Sequence, residues 1–172
     1  MFNEENAVEV VQRNLIMLRN SVTQPNTLKR KIFGLTEVKN HLTLKTTNGL
    51  GVRKLVEICD IMGVNIDEMF YIDEHWTFDG AWDWKDTAKI RVFLDLLQDV
   101  NVNNYGDIIY NNIQWSIDMG ATSWTDWWNT IRGHNMGLLE SRPNEVNFGC
   151  KLLGRISGEL GVNPEDLLYV EE

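Results

Sequence analysis

The chain repeats itself. Residues 51–74 align without a gap on residues 149–172, an offset of 98, and eight of these 24 positions are identical. The identities are Gly51/Gly149, Leu55/Leu153, Ile58/Ile156, Gly63/Gly161, Val64/Val162, Asn65/Asn163, Tyr71/Tyr169 and Glu74/Glu172. Most other pairs keep their character, as in Met62/Leu160, Glu68/Asp166 and Ile72/Val170. A repeat limits the fold more than any composition does, because each copy must be the same structural unit with the same face to bury. The rhythm inside it is helical. Val52, Leu55, Val56, Ile58, Cys59 and Met62 recur at spacings of three and four, which puts them on one helix face. Gly63 is placed to end that helix, since glycine accepts the left-handed C′ conformation. Asn65 is expected to cap a second, short helix, with Asp67 and Glu68 in its first turn. The second copy adds Pro164 at the first helical position.

More helix is expected upstream of each copy. Residues 4–20 carry Val8, Val11, Leu15 and Leu18 on one stripe, and residues 105–119 carry Ile108, Ile109, Ile113 and Ile117. Two short helices then follow in each half. In the first they cover about 25–32 and 36–43, around Phe33-Gly34-Leu35; in the second, about 123–131 and 135–141, around Arg132-Gly133-His134. Two short helices joined by a tight glycine turn are a helix-turn-helix signature. Residues 86–99, with Ile90, Phe93, Leu94 and Leu97, add a connecting helix. The fold class expected is all-α. The boundaries read as a basic domain over 1–74, a Trp-rich linker and connecting helix over 75–104, and an acidic, divergent domain over 105–172. A unit of about 70 residues is near the lower limit for an independent core, so the two are expected to lean on each other.

Charge divides along the same line. The whole chain is at −9, yet residues 10–56 hold nine Lys or Arg against one acid, Glu37, which is +8. From His75 onward seven Lys or Arg face fifteen Asp or Glu, which is −8. Such polarity selects partners, because a field of one sign decides what approaches. Cys59 and Cys150 lie in apolar helical patterns as small hydrophobes, forming neither a disulfide framework nor a metal site. His41, His75 and His134 show no ligand spacing, so neither metal nor cofactor is expected. No run of about 18 apolar residues occurs, so no membrane span is expected. The acidic start Met1-Phe2-Asn3-Glu4-Glu5 lacks an apolar signal segment, which points to the cytoplasm. Asp79, Asp83 and Asp86 have no base or nucleophile set beside them, and no phosphate-cradling loop occurs. An enzyme is not expected.

Taken together, these segments resemble the phage-repressor-type (XRE/Cro-like) helix-turn-helix family in two divergent tandem copies. Gly120-Ala121-Thr122-Ser123 resembles the opening of the family's second helix, and Gly133 sits at its turn glycine. Leu139-Glu140-Ser141-Arg142-Pro143 resembles the close of helix three. Residues 153–162 resemble helix four, and Pro164-Glu165-Asp166-Leu167-Leu168 helix five. In the first half Val22-Thr23-Gln24 resembles the helix-two start, and residues 55–70 match well. The resemblance covers about 130 residues. It departs at Trp128, where the family has a small residue, and in the wider spacing of Gln24 and Gly34.

The resemblance implies two tandem five-helix helix-turn-helix units joined by an extra helix. It also implies that the helix carrying Thr36, Glu37, Lys39, Asn40 and Thr43 enters a DNA major groove. Asn can bond adenine, Lys can reach guanine or phosphate, and Thr can meet a thymine methyl. Thr23 and Gln24 resemble residues that touch phosphate and base edge. Lys29, Arg30, Lys31 and Lys45 fit phosphate contacts. All seven tryptophans fall between Trp76 and Trp128. Trp76, Trp82 and Trp84 fit either a staple between the halves or an anchor for a protein partner. Trp124, Trp127 and Trp128 are expected mostly in the core, with one facing out. The expectation is a DNA-binding transcriptional regulator of phage or mobile-element type, with the second unit for packing or for a homodimer. The alternative is a phage inhibitor protein, an anti-CRISPR or an antirepressor, binding a protein target through its acidic half.

Overall fold

A computed structural model describes residues 1–21, 32–73, 99–131 and 136–171. These residues form helices α1 (Ala7–Ser21), α2 (Thr36–Leu42) and α3 (Val52–Met62), then a 3-10 turn at Ile66–Phe70. There follow α4 (Tyr105–Asp118), α5 (Trp124–Ile131), α6 (Met136–Ser141), a 3-10 turn at Pro143–Glu145, α7 (Cys150–Leu160) and α8 (Pro164–Leu167). Among the described residues there is no strand, only one isolated bridge. The fold is all-α. The connecting helix expected over 86–99 lies outside the described residues except for Asp99, as does most of the helix expected over 25–32.

The offset of 98 holds in three dimensions. Helices α3 and α7 occupy the same register, and each buries the apolar stripe read from the sequence. Gly63 and Gly161 end them in the left-handed region, at φ 65° and φ 67°. The short helix that follows differs between the copies. In the second, the Asn163 N–H donates to the Asp166 carboxylate at 2.8 Å and Pro164 presets the first φ. In the first, Asn65 makes no side-chain cap and the segment is a 3-10 turn, contrary to the capping expected of it. Ile66 stands where Pro164 does; both copies make the i to i−3 bond onto the asparagine carbonyl, and the second also makes an α-type bond from the Leu168 N–H to the Pro164 carbonyl at 3.1 Å.

The correspondence also reaches upstream, beyond what the apolar rhythm reveals. The Asn3 N–H donates to the Asn6 side chain at 2.9 Å, and the Asn101 N–H to that of Asn104 at 2.7 Å. Helix α1 starts at residue 7 and α4 at residue 105. Midway along each, one asparagine clasps the end of its own half. Asn14 Nδ2 donates to the carbonyls of Met69 and Tyr71, at 2.9 and 3.0 Å. Asn112 Nδ2 donates to those of Leu167 and Tyr169, both at 2.9 Å. Every one of these positions is its counterpart plus 98.

The halves meet on their own repeat. Gly51 pairs antiparallel with Gly149. The Val52 N–H donates to the Phe148 carbonyl at 2.8 Å, and the Cys150 N–H to the Leu50 carbonyl at 2.9 Å. Equivalent groups exchange equivalent bonds, which is the mark of a local two-fold axis. Around it runs one continuous apolar core, in which Leu15, Leu18, Leu55, Ile58, Ile109 and Ile113 are fully buried. Each such side chain contributes roughly 1.5–3 kcal/mol by leaving water. The start of α1 reaches across onto α7. A Cβ at Gly154 would lie 2.4 Å from the Asn3 carbonyl oxygen, so this crossing requires glycine. On the other side, the Val102 N–H donates to Asp60 at 3.1 Å. Cys59 and Cys150 are both buried free thiols. No helix among the described residues is long and apolar enough to cross a membrane.

Candidate nucleic-acid interface

Helix α2 presents the candidate residues because its other side is fixed. Val38 and His41 are the two buried positions of its seven. They lie three apart, which is one face. Thr36, Glu37, Lys39 and Asn40 are left on the exposed side, with Thr43 and Lys45 exposed just beyond. Glu37, Asn40 and Lys45 border one shallow cleft with Thr46, Thr47 and Gly49. The structure therefore brings six of the expected site residues to one surface. Thr23, Gln24, Lys29, Arg30 and Lys31 lie outside the described residues, as do Trp76, Trp82 and Trp84.

Three contacts hold this helix in place, and none was singled out in the sequence. Gln12 Nε2, on α1, donates to the Leu42 carbonyl at 2.7 Å. His41 Nδ1 accepts from the Leu50 N–H at 2.9 Å, tying α2 to the segment that leads into the Gly51–Gly149 bridge. Burial pushes the His41 imidazole down to about 4, so it is neutral at neutral pH. The third contact is the turn after α2. The Lys45 N–H donates to the Asn40 carbonyl at 2.8 Å and the Leu44 N–H to that of His41 at 3.1 Å, a Schellman closure. Its left-handed residue is Leu44, at φ 54°, where glycine is usual.

The charge of this face is smaller than the sequence count implies. Lys54 binds Glu37 at 3.5 Å and also Glu57, the bond to Glu57 being the main reason its ammonium is raised above the usual range. Arg53 pairs with Glu57 at 3.6 Å. Glu57 falls one residue beyond the +8 segment, and it occupies two of that segment's cations. The spacing of three and four from Lys54 and Arg53 to Glu57 was legible as a helical pairing signal. Arg13 is turned onto the Tyr71 carbonyl. Lys39 and Lys45 are the exposed cations that stay on the α2 face among the described residues. The Thr43 hydroxyl donates back to the Lys39 carbonyl at 2.9 Å, which leaves its methyl as the outward group.

The equivalent face of the second half is different. Helix α6 exposes Gly137, Glu140 and Ser141 and buries Leu139. Arg142, just after it, pairs with Glu145 at 3.3 Å. Among the described side chains of α5, Trp127 is buried; Trp124 and Trp128 face out, one more than expected. The reason is angular. Trp128 is one residue, about 100°, past Trp127, so a short helix that packs its inner side on α7 can bury only one of the two. No family model, no curated protein and no solved structure matches the chain.

Proposed function

We propose that this protein is a sequence-specific DNA-binding regulator of the phage or mobile-element type, not a catalyst. It is read as two tandem five-helix helix-turn-helix units, the first entering a major groove with α2. The second packs against it where the second subunit of a two-fold dimer would stand, so one chain supplies the pairing that such readers otherwise obtain from a homodimer. The observation that carries the reading is the divided face of α2, with Val38 and His41 inward and Thr36, Lys39 and Asn40 outward. Asn40 and Lys39 are the base-reading pair in this reading, with Lys45, Lys29, Arg30 and Lys31 on phosphates. A gel-shift selection from random duplexes tests it across a salt series. The expected result is a preferred sequence, a steep loss of affinity with salt, and a weakening of roughly a hundredfold in Lys39→Ala plus Asn40→Ala, since each lost base contact costs about 1–3 kcal/mol. Absence of duplex binding at low salt would sink the reading.

A second reading is favoured by the other half. Trp124 and Trp128 stand exposed there, in a stretch without a single Lys or Arg between Arg91 and Arg132. In this reading the chain is a phage inhibitor protein, an anti-CRISPR or an antirepressor, that binds a protein target through its acidic half.

A further inference from the structure

The backbone of Leu50 is held from both halves. Its N–H donates to His41 Nδ1, on α2, at 2.9 Å, and its carbonyl accepts from the Cys150 N–H, at the start of α7, at 2.9 Å. Leu50 and His41 are both buried. One residue thus joins the inner side of α2 to the opening of the second half's α7. A second polar anchor comes from α1, where Gln12 Nε2 donates to the Leu42 carbonyl at 2.7 Å. Hydrogen bonds are directional where apolar contact is not. The two anchors therefore specify how α2 is rotated about its own axis, and with it the aim of Lys39 and Asn40.

The second half shows what the same place looks like without this link. The counterpart of His41 at the offset of 98 is Leu139, which is buried as His41 is. A leucine side chain has no acceptor, so Phe148, the counterpart of Leu50, gains no such bond from α6. Phe148 still takes its share of the bridge, its carbonyl accepting from the Val52 N–H at 2.8 Å. The bridge is common to both halves, whereas the imidazole link from the bridge to the short outer helix belongs to the first. That link is not the most stable filling for the space. His41 Nε2 is buried with no hydrogen-bond partner among the described residues, a cost that a leucine avoids. An imidazole where hydrocarbon fits in the other copy is accounted for by what its Nδ1 holds, not by packing.

We propose that His41 is a positioning residue: through Leu50 it lets the seating of the second half set the orientation of α2, and so the aim of Lys39 and Asn40. The inference rests on the first reading above for what α2 contacts, not for how α2 is held. Variants of the full chain test it. His41→Leu copies the second half and removes the acceptor. His41→Asn keeps an acceptor, Oδ1, in place of Nδ1. Cys150→Pro removes the donor on the far side of Leu50, at the first position of α7, where proline suits a helix. Amide hydrogen exchange is read in the free protein at Lys39 and Thr43, whose N–H groups bond the Leu35 and Lys39 carbonyls. It should quicken roughly five- to tenfold in His41→Leu and in Cys150→Pro, the worth of one hydrogen bond. The double variant should exchange no faster than either single one, because both cut the same link. His41→Asn should exchange as the parent does. Stability should run the other way, with the urea midpoint held or raised in His41→Leu and lowered in His41→Asn, which leaves core volume empty. A merely structural residue would move exchange and midpoint together. In the gel-shift assay His41→Leu should lose about tenfold in discrimination between preferred and random duplexes, and His41→Asn should keep it. Parent-like α2 exchange in His41→Leu or in a folded Cys150→Pro, additive effects in the double variant, or His41→Asn exchanging as fast as His41→Leu would each overturn the proposal. Where Cys150→Pro does not fold, the Leu and Asn variants decide alone. Where the parent chain binds no duplex, the first reading fails and the exchange rates still decide this one.

Discussion

The two halves of this molecule keep the same interior and show different exteriors. Inside, the apolar stripe of α3 recurs in α7, the Asn14 clasp in Asn112, and the left-handed Gly63 in Gly161. Outside, one half offers Thr36, Lys39 and Asn40 on α2, and the equivalent helix α6 of the other offers Gly137, Glu140 and Ser141. A packed core tolerates change poorly, whereas surface changes away from special features cost little. Two copies therefore keep the positions that make the fold and diverge at positions free to take up a function. What differs between equivalent exposed positions is thus the better guide to activity.

The sharpest break of this symmetry concerns two identical residues. Gly51 and Gly149 pair with each other, yet their surroundings differ. A Cβ on Gly149 would lie 2.2 Å from the Asn48 backbone oxygen, and one on Gly51 would lie 2.1 Å from Asn147 Oδ1, the end of an exposed side chain. Backbone cannot yield without shifting the bridge, while the Asn147 amide can rotate away and lose its 3.2 Å bond from the Arg53 N–H. Gly149→Ala should cost about 3 kcal/mol and Gly51→Ala about 1 kcal/mol. Urea unfolding of the two variants measures this, and equal losses would show that the two sides of the axis are equally rigid.

The interior was largely legible in the sequence, because apolar spacing and glycine position report on helices directly. Gly63 and Gly161, Leu55 and Leu153 fall where that spacing put them. The Asn3/Asn101, Asn6/Asn104 and Asn14/Asn112 identities were equally visible at the offset of 98, but polar residues carry no apolar rhythm to draw attention to them. The meeting of Gly51 with Gly149 was not legible at all, since a repeat shows that two units are alike and not how they face. For the site, the exposed side of α2 followed from periodicity. The pairing of Glu57 with Arg53 and Lys54 was legible in the spacing, one residue beyond the basic segment, but the second outward tryptophan was not, because it depends on which neighbour α5 packs against.

A pH series probes the first half further, since it contains a buried histidine, His41. An unfolded imidazole takes a proton near pH 6.5. In the folded protein burial holds His41 at about 4, with Nδ1 committed to the Leu50 N–H. Between those values the unfolded state binds more protons, so stability falls as the pH falls, by about 2 kcal/mol from pH 6.5 to 5. Asp67 works in the opposite sense. Burial first, and then the charge of its repeat counterpart Glu165, raise its carboxyl to about 6. The folded state therefore takes up that proton before the unfolded one does, and gains stability as the pH falls below 6. Asp67→Asn should remove this offset and steepen the acid loss. Unfolding free energies at pH 7, 6 and 5 test the assignment, and a flatter acid limb in Asp67→Asn would refute it.

The smallest effect lies at the end of α2. Leu44 holds φ 54° to close the helix, and a branched side chain there costs roughly 1–2 kcal/mol. The equivalent position in the second half, Arg142, sits at φ −144° and carries no such strain. The left-handed turn is therefore peculiar to the half with the exposed Lys39 and Asn40, and it sets the backbone of Lys45. Leu44→Gly relieves the steric cost but adds freedom to the unfolded chain, an offset of about 0.4–1 kcal/mol. A net stabilisation of about 0.5 kcal/mol is expected, read as a small rise in the urea midpoint at unchanged slope. Glycine keeps both Schellman hydrogen bonds, so Lys45 stays in register and duplex affinity should remain within about twofold of the parent chain. A destabilised Leu44→Gly would mean that the half-exposed Leu44 side chain contributes more by packing than the turn loses by strain.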